Sequence, residues 1–108
     1  RTTVVFTGEY CRTPLLNESQ GKDHNFRSNS LVAIGHRVRP GVFGASGARP
    51  EGNGYEAHAG LPIDFATGRA DPAGQILYAR NLWAGFGDIA DVDIDSEFPV
   101  GVTPVSFF

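Results

Sequence analysis

The hexapeptide Thr2-Thr3-Val4-Val5-Phe6-Thr7 limits the fold more than any other stretch. β-Branched and aromatic side chains fill it and no charge interrupts it, so residues 2–7 read as a β-strand. A near-continuous apolar run of this kind predicts a strand buried on both faces. That is the situation in a parallel sheet covered by helices. The expectation is an α/β fold with a mostly parallel sheet.

Residues 8–27 are polar, with Pro14, Gly21, Asn17 and Asn25, and read as a long loop leaving the C-terminal end of that strand. Long loops in small domains tend to carry function, and open α/β sheets bind ligands at this edge. Glu9 ends a strand of the buried type, where a carboxylate is costly unless paired or metal-bound. It reads as an acidic ligand or general base, or as an ion-pair partner of Arg12. Asp23 and His24 can offer a carboxylate and an imidazole to a metal or an anion; the alternative is a loop Asx residue beside a surface histidine. Arg12 can grip a phosphate, sulfate or carboxylate in a bidentate fork, or pair with Glu9 or Asp23. Cys11 could be a nucleophile, but catalysis would need a base beside it and a lowered pKa.

Residues 28–35 form a second apolar run that fits either a strand or a short helix. Residues 37–46 read as a short strand or turn pair, with Pro40-Gly41 at the turn. His36, beside Arg37 and close to Arg39, can help bind an anion, but reads first as part of a solvated patch. Residues 44–74 are rich in Gly, Ala, Pro and Asn and read as an irregular excursion, holding His58 and a brief strand near Leu61–Phe65. Residues 71–91 give the best helix, with Asp71 as N-cap and Pro72 in the first turn. Ile76, Ala79, Trp83, Phe86 and Ala90 recur at helical spacing and predict a core-facing stripe. The apolar end of the tail is expected to pack against the body.

The 108 residues suit one small domain. Nine Lys and Arg against twelve Asp and Glu give a net charge of −3 with no basic run, so neither nucleic acid nor an anionic membrane surface is an expected partner. No apolar stretch approaches the ~20 residues of a membrane-spanning helix. A single cysteine excludes an internal disulfide and any multi-cysteine zinc site. The chain opens on Arg1 and has no Met, and is expected to be a fragment or a processed chain.

Several motifs carry a resemblance. Gly8-Glu9-Tyr10-Cys11-Arg12-Thr13-Pro14, Asn17, Gly21-Lys22-Asp23-His24, Ser30-Leu31-Val32-Ala33-Ile34-Gly35 and Gly41-Val42-Phe43-Gly44-Ala45-Ser46 follow in order. Together they resemble the C-terminal part of the bacterial family catalogued as domain of unknown function 1501. Its hallmark is Ser-Glu-Phe-Gly-Arg-Thr-Pro, then an Asn, then Gly-Gly-x-Asp-His. The match is dense over 3–46 and looser over 70–104, where Phe98-Pro99-Val100-Gly101 resembles the family's closing turn.

That family is similar to the sulfatase and alkaline-phosphatase superfamily and carries a twin-arginine export signal. The resemblance implies that residues 1–108 are the C-terminal portion of a three-layer sandwich, a single partial domain with 47–69 as an insertion-like loop. It implies an exported protein, periplasmic or extracellular, whose N-terminal half lies upstream or on another chain. It further implies a hydrolase-like role on phosphate or sulfate esters, with Glu9, Asp23 and His24 as ligands to a divalent metal (zinc, calcium or magnesium) and Arg12 as the anion clamp. Tyr10 stands where the superfamily has a metal-binding His. The competing expectation is a non-catalytic interaction subunit that keeps the fold without the chemistry.

Overall fold

The computed structural model describes residues 2–48, 58–93, 96 and 101–108. In chain order the elements are β1 (Thr3–Thr7), β2 (Cys11–Arg12), β3 (His24–Asn25), β4 (Leu31–Gly35), β5 (Ser46–Ala48), β6 (His58–Gly60) and α1 (Ala79–Ile89). The strands form three separate two-stranded sheets, β1–β4, β2–β3 and β5–β6, each antiparallel. The expected three-layer α/β sandwich with a mostly parallel sheet is therefore overturned. Parallel neighbours need a crossover, usually a helix. Residues 8–30 contain none and instead fold the chain back on itself.

This return makes residues 3–35 one long ribbon. The β1–β4 ladder pairs Thr3 with Gly35 through Thr7 with Leu31. The β2–β3 ladder lies nested within it, pairing Cys11 with Asn25 and Arg12 with His24. Residue 28–35 thus resolves as a strand at its second half, not as a helix. The ribbon lengthens the molecule to 47 × 29 × 27 Å, with a radius of gyration of 15.4 Å against the ~13 Å usual for a compact domain of this size.

Burial corrects the strand expectation as well. Directly paired residues of an antiparallel ladder share a face, as do residues two apart, so Val4, Phe6, Val32 and Ile34 lie together on the outer face. They are 44–61 % exposed. On the opposite face Val5 looks toward α1 across a cavity of about 330 Å³ that Trp83, Phe86 and Ile89 also line. Among the residues of β1 only Val5 is half-buried and the rest are exposed, so at most one face is covered.

The hydrophobic core sits in the C-terminal body. Ile63, Phe65, Val105 and Phe107 are buried together, with Phe43, Leu77, Leu82 and Phe108 packed against them. Residues 61–75 wrap around Ile63, which bridges Ala70 and Gln75 where a brief strand was expected. The tail packs as expected, tied by Ser106 N–H to the Phe65 carbonyl at 2.9 Å and by a stacked Phe43–Phe107 pair at 4.8 Å.

The helix begins later than its periodicity indicates. Asp71 accepts from the Ala73 N–H at 2.9 Å and closes a turn, and Gln75 exchanges two backbone hydrogen bonds with Ile63. The first turn forms only after Tyr78, whose N–H donates to the Asn81 side chain at 3.0 Å. The buried Asn81 amide donates in turn to the Thr103 carbonyl at 2.8 Å, joining helix and tail. Gly85 keeps α1 and the tail in contact, because a Cβ there would meet the Val105 carbonyl at 2.8 Å. Trp83, expected in the core, is 48 % exposed above the cavity. The chain turns at residues 36–37, closed by Val38 N–H to the Gly35 carbonyl at 3.3 Å, earlier than the expected Pro40-Gly41. The insertion-like 47–69 includes β6 and part of β5; its residues 49–57, like Phe98-Pro99-Val100, lie outside the described residues.

Candidate functional site

The polar motif of the sequence forms the distal half of the ribbon. Asn17 organises its tip. The Asn17 carbonyl side-chain oxygen accepts from the N–H groups of Ser19 (3.0 Å) and Gly21 (2.9 Å), and its amide donates to the Asp23 carboxylate at 2.8 Å. Thr13, buried, accepts from Asp23 N–H at 3.1 Å and donates to the Leu15 carbonyl at 3.0 Å. Asp23 therefore serves the loop: its carboxylate holds Asn17.

Alternation along β2 and β3 sorts the remaining residues onto two faces. Cys11 and Asn25 share the inner face. Asn25 is buried; its amide donates to the His58 carbonyl at 2.9 Å, and its oxygen accepts from Arg27 N–H at 3.1 Å. Gly60 N–H adds a bond to the Arg27 carbonyl at 2.9 Å. These contacts fasten the ribbon to β6. Asn25 was missed in the sequence, and its signal there is only the alternation His24-Asn25-Phe26.

Arg12 and His24 are direct partners on the outer face of the β2–β3 ladder. Direct partners hold their Cβ atoms about 5 Å apart, so a guanidinium and an imidazole project side by side. Arg12 is exposed and makes no hydrogen bond or ion pair among the described residues. The His24 ring, half-buried, lies 5.6 Å from that of Tyr10 and 5.9 Å from that of Phe26. Tyr10 and Phe26 meet edge-on at 4.7 Å. Phe26 is 71 % exposed, and sequence reasoning did not single it out. Tyr10 is held at φ 62°, a left-handed conformation that costs a bulky side chain on the order of 1 kcal/mol.

Glu9 is exposed and forms no ion pair with Arg12. Among the described residues no three His, Cys, Asp or Glu side chains converge on a point that could hold a metal. Asp23 holds Asn17 through its carboxylate, and His24 packs among aromatic rings.

The remaining sequence candidates hold other positions. Cys11 is half-buried with its N–H on the Ser28 carbonyl at 3.0 Å. Arg37 and Arg39, neighbours of His36, are engaged with carbonyls at the end of α1 and in the tail. His58 shares a hydrogen bond with Ser46 Oγ at 3.1 Å. The chain can thus present an arginine and a histidine side by side next to an aromatic cluster.

In comparison with known proteins, residues 1–60 fit the model of a family described as protein of unknown function (DUF1501). No curated protein and no solved structure matches the chain.

Proposed function

From the premise that this chain belongs to the DUF1501 family, we propose that it carries the anion-binding part of an exported, hydrolase-like protein acting on phosphate or sulfate esters. Arg12 and His24 bind the ester anion. The groups that would break the ester lie on another segment or another chain. The observation that carries this reading is the direct pairing of Arg12 with His24, with Arg12 free of partners among the described residues. An unpaired guanidinium offers its planar fork to a tetrahedral oxyanion, and an adjacent imidazole adds a donor. The test is titration of the full chain with inorganic phosphate and sulfate while the His24 ring is followed by NMR. A saturable shift, weakened about tenfold in Arg12→Ala, is expected; no shift with either anion defeats the reading.

A second reading, a non-catalytic interaction subunit, is favoured by the exposed outer face of Val4, Phe6, Val32 and Ile34. Such patches mark contact surfaces on soluble chains. Purification of the native protein as a stable complex, released by Phe6→Glu with the anion site intact, would favour it.

A further inference from the structure

We infer that the cavity between β1 and α1 is a binding site of its own, and that its ligand is an uncharged two-ring aromatic compound bearing a hydroxyl. The site is independent of the anion reading above, since neither Arg12 nor His24 lines this cavity.

The cavity measures about 330 Å³. An apolar cavity of about 150 Å³ takes one benzene ring, so this one has room for a fused pair of rings. Its walls suit that shape. Trp83 and Phe86, one turn apart on α1, hold their ring centroids 5.7 Å apart with the planes tilted by 54°. Val5 and Ile89 add aliphatic surface. Aromatic walls receive aromatic ligands in offset and edge-on contacts. Trp83, with 48 % of its surface in water, keeps one wall open to an incoming ring.

Charge selects among aromatic ligands. The charged residues of the lining are Arg37 and Asp91, and they neutralise one another across 2.8 Å. Arg37 also donates to the Ile89 carbonyl, at the helix end where a cation belongs. Asp88 acts on Arg37 only from outside the lining. A ligand charge of either sign therefore gives up hydration against the apolar wall and meets no net countercharge. An uncharged ligand avoids that cost, and a hydroxyl on it finds partners. Thr3, His36 and Trp83 line the cavity, and their side chains make no hydrogen bond among the described residues. Together they offer both donors and acceptors.

The experiment titrates the full chain at pH 7 with three probes of one shape: 2-naphthol, 2-naphthoate and 2-naphthylmethylammonium. NMR follows the Val5 and Ile89 methyl signals. The expected result is a saturable shift of both with 2-naphthol, which binds about tenfold more tightly than either charged probe. Asp91→Asn leaves Arg37 without its counterion and should turn the preference to 2-naphthoate. Asn suits the left-handed backbone at this position, φ 60°. Trp83→Ala should weaken 2-naphthol about tenfold. Should that variant fail to fold, Ala90→Leu decides: the residue is exposed, follows the last turn of α1 and lines the cavity, so the added bulk should weaken binding likewise. No methyl shift with 2-naphthol overturns the site. A charged probe that binds wild type as tightly as 2-naphthol overturns the ligand class. Unchanged 2-naphthol affinity in a folded Trp83→Ala or Ala90→Leu shows that the ligand sits elsewhere and overturns the proposal.

Discussion

Arg37, just past the end of β4, reaches the C-terminal end of α1. Its guanidinium donates to the Ile89 carbonyl at 2.6 Å and pairs with the Asp91 carboxylate at 2.8 Å. The pair lies beside the negative end of the helix, where a cation is favoured, and Asp91 raises the Arg37 pKa above its ordinary value through a hydrogen bond and charge attraction. Both side chains are exposed, so water and salt weaken the link. Asp91→Asn should lower Tm by at most a few degrees, and the difference from wild type should vanish in about 1 M salt. Arg37→Ala should cost more, since it also strips the Ile89 carbonyl of its partner. Thermal melts at two ionic strengths decide this.

Asn81 carries a larger share of stability. It is buried and serves both the helix start and the Thr103 carbonyl. Asn81→Ala removes two part-buried hydrogen bonds, to the Tyr78 N–H and the Thr103 carbonyl, at a cost of about 1–3 kcal/mol. Urea unfolding should show that loss with an unchanged m-value.

Gly85→Ala offers a sign test. In an exposed helix interior the change gains about 1 kcal/mol. Here the added methyl meets the Val105 side chain and carbonyl at 2.8 Å and Phe108 at 2.9 Å, and overpacking of this kind costs about 1–3 kcal/mol. Net destabilisation is expected, and an increased denaturation midpoint would contradict the packing of the tail on α1.

Asp64 supplies a pH dependence. Its carboxylate accepts from Ala66 N–H at 2.8 Å and from Thr67 Oγ1 at 2.9 Å, and these bonds hold its pKa below the usual carboxylate value. A depressed folded-state pKa means the unfolded chain takes up the proton first. The contribution is thus complete above the ordinary Asp pKa and is lost as pH falls through the lowered folded value. Asp64→Asn should be less stable than wild type at pH 6, and the gap should narrow toward pH 2 in paired thermal melts.

The outer face of the ribbon should tolerate polarity. Phe6→Thr with Ile34→Thr puts β-branched, strand-compatible side chains at both positions and removes exposed apolar surface. Stability should stay within about 0.5 kcal/mol, and binding of a hydrophobic dye should fall. A loss of several kcal/mol would show that this face is covered.

The family and the strand at 2–7 were legible in the sequence, because short-range chemistry determines both; the helix was legible as an element but not in its face, since Ala79, Trp83 and Ala90 are exposed and α1 buries Asn81, Ala84, Gly85 and Phe86. Its α/β reading failed at one step. Val4-Val5-Phe6 has the composition of a doubly buried strand, but the direction of its neighbour is set by residues 8–30. A tight Asn17-centred tip and the paired His24-Asn25 return the chain in antiparallel sense, and no periodicity announces that. The site residues were visible as residue types. What stayed hidden was their division: Arg12 and His24 on one face, Asn25 on the other, Asp23 committed to Asn17. The late helix start has the same origin, since Gln75 prefers a long-range pairing with Ile63 to the local turn that Asp71-Pro72 would begin.

Trp83 is the chain's one tryptophan, and it lines the cavity between β1 and α1. Its indole is half in water, so its emission wavelength reports the width of that gap. Any motion of the ribbon relative to the helix, on ligand binding at the far end or on breaking the Arg37 link, shifts the fluorescence of the unlabelled protein. The chain carries its own optical gauge at the joint between its two parts.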